Sequence, residues 1–314
     1  NGYIKRTSLS TYRSQRRGGR GVQGASSREE DFVEHLFIAN THSYILFFTD
    51  KGKCYWVKVY DIPEGGRAAK GRAIVNLVGC EPDEKVSAFI SVKEFNEDHY
   101  VVMATEKGMV KKTKLSAYSN PRKKGIYAVE IRDGDKLIEA RVSTGDNDIF
   151  LGTRNGKSIR FSEEQIRASG RKTMGVKGIT LSSDDDRLVG MLLIKREGTV
   201  LVATEKGFGK RTEISQYRAQ KRGGKGVLTM KTTDKVGKMV TIKEVVDKDD
   251  LMIITNQGVL IRLPVAQIRS IGRATQGVKL IKLGEGTLVS SITRIMSEEE
   301  ENENNNTEST DPKE

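Results

Sequence analysis

A Thr-x-x-Gly string recurs through this chain at Thr49/Gly52, Thr105/Gly108, Thr153/Gly156, Thr204/Gly207 and Thr255/Gly258, and Gly2 stands where a sixth copy would place its glycine. The glycines are spaced by 50, 56, 48, 51 and 51 residues, a period that belongs to bladed or arrayed folds built from one repeated unit. Counted from each glycine, position +10 is Tyr12, Ile62, Tyr118, Ile166, Tyr217 and Ile268. Position +19 is again glycine at Gly21, Gly71, Gly175, Gly226 and Gly277, while the shorter third copy places Gly125 at +17.

Within a copy, β-rich runs such as YILFFT, VVMAT, VLVAT and LMIIT end at the threonine, and two polar residues, the glycine and a second run follow. That order reads as a hairpin whose glycine supplies the left-handed turn position. Alternating runs (GIYAVEI, GVKLIKL) and a fourth apolar stretch (KVSAFISV, KLIEARVS, LVGMLLI, LVSSITRI) complete the copy. Four short strands per copy predict an all-β disc of six four-stranded antiparallel blades, propeller-like, whose cyclic closure protects the strand edges. An open array of hairpin modules is the alternative. The copies start near residues 1, 44, 99, 148, 199 and 250, giving one domain over 1–296 and a tail over 297–314. Residue 1 already sits in a hairpin turn, so the missing strand is expected upstream and the chain reads as a piece of a longer protein.

Several function classes drop out. The longest apolar run, Tyr44 to Phe48, is far short of the roughly 20 residues of a membrane span. Cys54 and Cys80 form no CxxC, and with His35, His42 and His99 they match no zinc spacing. No HExxH, GxxxxGK[ST] or nucleophile–base constellation is present, so neither a metal site nor catalysis by this chain alone is expected.

Charge is more informative. The formal net charge is +12, yet Glu298–Glu314 holds eight acids and one lysine, which leaves +19 on residues 1–297. A body this basic calls for a polyanionic partner. The acidic tail has nothing to bury and is expected to be disordered, competing with that partner for the basic surface as a tethered polyanion.

The basic residues keep the register of the repeat. Gln15-Arg16-Arg17-Gly18-Gly19-Arg20-Gly21 combines glycines that admit close backbone approach with arginines suited to bidentate phosphate contacts. A near copy, Gln220-Lys221-Arg222-Gly223-Gly224-Lys225-Gly226, occupies the same place in the fifth repeat. The remaining copies carry GGRAAKG with Arg67 and Lys70, SNPRKKG with Arg122, Lys123 and Lys124, SGRKTMG with Arg171 and Lys172, and IGRATQG with Arg273. A second set lies four residues after each hairpin glycine: Arg6, Lys112, Arg160, Arg211 and Arg262, with Trp56 as the exception. Repeats related by rotation would arrange both sets as a track around the disc, suited to a phosphate backbone; charges that merely solubilise a β surface are the bland alternative.

The QRRGGRG box resembles the signature of the DNA gyrase A C-terminal domain, within the type IIA topoisomerases, and the text from EEDFVEHLFIANTHSYILFFTDKGKCYWVKVYDIP to KGRAIVNLV is similar to that family. The resemblance implies a six-bladed β-pinwheel with strands exchanged between blades and a cytoplasmic, nucleoid-associated domain. Its role would be to bind, bend and wrap duplex DNA with little sequence preference, with Gln15, Arg16, Arg17, Gly18, Gly19, Arg20 and Gly21 as the DNA-binding box. It also implies partners in the rest of gyrase A and in gyrase B, and no cofactor in this domain; the catalytic tyrosine, ATP and Mg sites would lie elsewhere in the holoenzyme. A topoisomerase IV-type DNA-binding domain, whose box is lost or degenerate, and a propeller-like protein-interaction module are the rival readings.

Overall fold

The computed structural model describes residues 2–7, 39–66, 69–120, 122, 124–195, 198–257 and 259–295. The Gln15–Gly21 box, Arg67, Lys123 and the tail 297–314 lie outside these residues. The hairpins of the second to fifth repeats close as the Thr-x-x-Gly string requires. The Thr153 and Thr204 hydroxyls each accept the backbone N–H four residues on, at 3.3 Å, and the Gly156 N–H returns to the Thr153 carbonyl at 3.1 Å. Gly156 holds φ at +85°, where a Cβ would lie 2.1 Å from the Met230 carbonyl oxygen, so no larger residue fits this turn.

Three antiparallel strands form the body of a blade. In the fourth repeat these are Asp148–Thr153, Lys157–Ser162 and Leu188–Ile194, with Ile149 opposite Phe161 on one side and Leu193 on the other. A fourth, two-residue strand comes from the next repeat: Val227 and Leu228 pair with Ser158 and Lys157. The same exchange adds Ile126–Tyr127 to the second-repeat sheet, Val176–Lys177 to the third and Val278–Lys279 to the fifth. Among the described residues the sixth-repeat sheet has three strands, Asp250–Thr255, Leu260–Pro264 and Val289–Ile295.

The all-β reading holds, but the blade count does not: the fold is a β-propeller of five blades, not six. Among the described residues the first repeat contributes only Tyr3–Ile4, paired with Arg72–Ala73. A two-stranded ribbon of that length buries too little to act as a blade. The second repeat adds the one α-helix among the described residues, Ile74–Val78, which Gly79 ends in the left-handed conformation. No helix among the described residues is long and apolar enough to cross a membrane.

The core lies in the seams between blades. Val101 and Met103 pack with Leu46 and Phe48 of the preceding blade, whereas Val102 and Ala104 of the same strand pack with Ile149 and Leu151 of the following one. Phe150, Val200 and Val202 fill the next seam, and Leu201, Ala203, Leu251 and Ile253 the last. Both faces of these strands are buried, which is why they read as continuous apolar runs rather than alternating ones. The +10 residues Ile62, Tyr118, Ile166, Tyr217 and Ile268 are all buried, and Tyr217 meets Phe150 edge to face at 4.8 Å between ring centroids.

Candidate nucleic-acid interface

The basic loops of the third to sixth repeats are each delivered to a seam by the exchanged strand that follows. The first residue of the loop is fastened to the preceding repeat: Ser169 N–H donates to Lys112 O, Gln220 to Arg160 O and Ile271 to Arg211 O, at 2.8–2.9 Å. The last residue is the +19 glycine. Gly226 has φ +68°, and a Cβ there would lie 2.3 Å from the Ser158 carbonyl oxygen, so glycine lets the loop lie directly on the neighbouring strand.

Cations within the loops divide into two kinds. Arg171, Arg222 and Arg273 are half-buried and donate through Nη1 to the carbonyls of Tyr127, Lys177 and Leu228, at 3.2, 3.2 and 3.0 Å. Each acceptor lies two residues past the loop glycine of the preceding repeat, so these arginines pin one loop to the end of the last. Lys70, Arg122, Lys124, Lys172, Lys221 and Lys225 are exposed. Lys70 Nζ lies 4.2 Å from the Tyr3 ring centroid, and Lys172 Nζ 6.0 Å from that of Tyr127.

The strand set reaches across the seams rather than away from the disc. Arg6 Nε donates to Ile62 O at 2.8 Å and Arg211 Nε to Ile268 O at 2.7 Å. Arg160 Nη1 donates to Ile214 O and Tyr217 O, both at 3.2 Å, and Lys112 Nζ to Glu163 O at 3.3 Å. In every case the acceptor belongs to the turn of the next repeat. Carboxylates complete the pairing: Glu64 for Arg6, Glu163 for Lys112, Asp148 for Arg160 and Asp247 for Arg211. Arg262 is exposed and pairs with Asp250 of its own sheet, its Nε donating at 2.7 Å. At Trp56 an aromatic contact replaces the cation, with the Tyr44 ring centroid 4.9 Å away.

The structure adds exposed cations outside the two sequence registers. Arg167, Arg218 and Arg269 follow the buried +10 residue directly, and Lys177 and Lys279 lie on exchanged strands. The +11 arginines share a register of their own, one position along from the apolar one, and that shared spacing is the signal that marks them. Two further lysines, Lys111 and Lys210, are buried beneath the loops. Burial, with a neighbouring arginine charge adding to it, pushes both ammonium groups down to about 8.

The family described as DNA gyrase C-terminal domain, beta-propeller, matches residues 1–40, 43–93, 99–144, 147–195, 198–245 and 249–295. The chain belongs to this family. As a DNA gyrase C-terminal domain it is 46% identical over 303 residues to the DNA gyrase A protein of Staphylococcus epidermidis (strain ATCC 12228 / FDA PCI 1200), a match that covers 96% of this chain and 34% of that protein. The chain thus spans about a third of the length of the curated relatives it matches. Among solved structures, the C-terminal domain of DNA topoisomerase IV superposes with a TM-score of 0.81 at 26% identity, covering 95% of this chain and 91% of the other. A DNA gyrase A C-terminal domain superposes with a TM-score of 0.75 at 22% identity, covering 94% and 97%.

Proposed function

We propose that this chain is the DNA-wrapping part of a gyrase A protein, binding the phosphate backbone of duplex DNA through the exposed cations of its seam loops. The observation that carries this reading is the return of exposed basic residues in four successive seam loops: Lys70, then Arg122 and Lys124, Lys172, and Lys221 with Lys225; the sixth-repeat loop has only the half-buried Arg273, with Arg269 and Lys279 exposed on either side of it. Smoothly bending 20–30 bp by 40–90° costs on the order of 1–6 kcal/mol, more than one loop can offset. Contacts spread over successive blades meet that cost cumulatively, because each neutralised phosphate releases counterions. Such contacts read the backbone, so binding is largely independent of sequence. The Gln15–Gly21 box adds three arginines at the same register and anchors the wrap.

On this reading the partners are duplex DNA, the remainder of gyrase A and the gyrase B protein, in the bacterial cytoplasm at the nucleoid. The domain holds no cofactor; ATP and magnesium serve other parts of the enzyme, which uses the wrap to introduce negative supercoils. Two measurements test it. Affinity for linear duplex should fall steeply with salt and should require a minimum DNA length. Ligation of nicked circles on the protein, followed by relaxation, should leave a residual linking difference. Flat salt dependence would favour a protein-interaction module, and salt-dependent binding without a linking difference a topoisomerase IV-type domain that binds without strong wrapping.

A further inference from the structure

The strand that carries the seam cations alternates between two kinds around the propeller. In the first, third and fifth repeats, positions +3 to +5 read Lys5-Arg6-Thr7, Lys111-Lys112-Thr113 and Lys210-Arg211-Thr212. In the second, fourth and sixth they read Tyr55-Trp56-Val57, Ile159-Arg160-Phe161 and Ile261-Arg262-Leu263. The loops packed on them differ accordingly: GGRAAKG, SGRKTMG and IGRATQG lie over a lysine-bearing strand, SNPRKKG over Tyr55 and QKRGGKG over Ile159.

The lysines grip those loops from within. Lys210 Nζ donates to Gly272 O at 2.7 Å, to Thr275 Oγ1 at 3.0 Å and to Arg273 O, three acceptors for the three protons of an ammonium. Lys111 Nζ donates to Arg171 O, and to Ala128 O at 2.7 Å. Lys5 Nζ donates to Gly66 O and Ala69 O, both at 2.9 Å. In two of the three copies the threonine takes the start of the loop: Thr7 Oγ1 donates to Gly65 O at 2.9 Å and Thr212 Oγ1 to Ile271 O at 2.8 Å, whereas the buried Thr113 hydroxyl makes no such bond. Where the strand has Ile159, the loop has Gly224, whose added Cβ would lie 3.5 Å from Ile159 Cδ1. That loop is seated on an apolar side chain and held by other means, its Gly223 N–H donating to Gly178 O at 2.7 Å.

Building on the DNA-binding reading above, we propose that the Lys-[Arg/Lys]-Thr tripeptide is a latch and that Lys5, Lys111 and Lys210 are positioning residues. They set the shape of the basic loop in every second repeat, and those under the second- and fourth-repeat loops so place the exposed Lys70 and Lys172 against the DNA backbone. The lysines touch no DNA themselves. Latched loops then occupy alternate seams, and the loop 220–226 between two of them is glycine-seated instead.

Hydrogen exchange and DNA titration on the whole chain test this together. Lys111→Met should accelerate amide exchange in residues 169–175 about tenfold, the loss of one charge-assisted hydrogen-bond set, while residues 220–226 exchange as in the wild type. The same variant should weaken duplex binding by about threefold to tenfold. Lys172→Gln, which neutralises an exposed cation of that loop, should cost affinity in the wild type but add nothing in the Lys111→Met background. Unchanged exchange in 169–175, or costs that multiply in the double variant, would overturn the latch. Thr212→Val is the milder partner experiment: it removes only the hydroxyl bond to Ile271 O and should accelerate exchange in 271–277 alone; uniform or absent acceleration would also overturn the latch. Should the wild type itself bind duplex without salt dependence, the functional reading fails, and the exchange measurements still decide the latch.

Discussion

Arg211 Nε donates to the carbonyl of Ile268 at 2.7 Å, fastening a strand of the fifth repeat to the turn of the sixth. The Arg211 side chain is 10% exposed, while its carboxylate partner Asp247 is 76% exposed, so the bond to the buried turn carries more of the stability than the ion pair does. Removing the donor leaves a buried acceptor unsatisfied.

Arg211→Ala should therefore lower unfolding free energy by about 2 kcal/mol, the cost of an orphaned buried acceptor. Arg262→Ala at the equivalent position of the sixth repeat removes a side chain 64% exposed and should cost less than about 1 kcal/mol. Urea denaturation of the two variants measures both, and equal losses would mean that Arg211 acts as a surface charge rather than a seam staple.

The glycine positions separate two backbone demands. Gly226 lies at φ +68°, with a Cβ blocked by the Ser158 carbonyl, whereas nothing lies within 4 Å of a Cβ at Gly170. Gly226→Ala should destabilise by about 2 kcal/mol or more, combining left-handed strain with a steric clash. Gly170→Ala should change stability by less than about 0.5 kcal/mol. Thermal unfolding of the pair checks the contrast, and a tolerated Gly226→Ala would mean that the loop does not need to lie on the neighbouring strand.

Much of this architecture is legible in the sequence because it rests on residues with few substitutes. The hairpin glycines at φ near +80° and the capping threonines admit little else, and the +10 residues have to be large and apolar to fill a seam. The orientation of the cations is less legible. In a sheet with one free face, a basic residue at +4 points to solvent; in a propeller both faces of a blade are covered, so Arg160 and Arg211 turn to carbonyls of the next repeat. The blade count differs from the repeat count for a related reason: a repeat recognised by its turn and loop need not supply three strands, and the first supplies only Tyr3–Ile4 among the described residues. Burial of Lys111 and Lys210 is hidden because a strand lysine reads as a surface residue, although the alternating Lys-[Arg/Lys]-Thr tripeptide is itself plain in the sequence.

DNA affinity should depend on which cations are free to meet phosphate. Lys221 and Lys225 are exposed, whereas Arg222 of the same loop spends Nε on Gln165 O at 3.0 Å and Nη1 on Lys177 O. Lys221→Gln with Lys225→Gln should reduce the slope of log affinity against log salt by about 0.9 for each phosphate no longer neutralised and leave stability unchanged. Arg222→Gln should lower stability and change the slope less. Isothermal titration at several salt concentrations distinguishes them; a larger slope change from Arg222→Gln than from the double lysine variant would contradict this division of the loop.

The buried latch lysines give the fold a pH dependence of predictable sign. Lys210 titrates at about 8 in the folded chain against an ordinary 10.5, because burial and the Arg273 charge disfavour its ammonium; Lys111 lies at about 8 as well, with Arg171 adding to burial and Glu130 opposing it. Below about pH 8 folded and unfolded chains both hold the proton, and the burial penalty is present in full. Between about 8 and 10.5 the unfolded chain still holds it and the folded chain does not, so rising pH favours the folded state, by at most about 3 kcal/mol for each lysine. Cys54 and Cys80 pull the other way, since burial raises both thiols, Cys80 to about 11, and the unfolded chain then loses those protons first. The net profile of the wild type mixes these opposed contributions, but a comparison with Lys210→Met cancels the cysteines. The wild type should gain stability relative to that variant as pH rises from about 8 to about 10, measured by urea denaturation at each pH; parallel profiles would mean that Lys210 keeps an ordinary proton affinity in the folded chain.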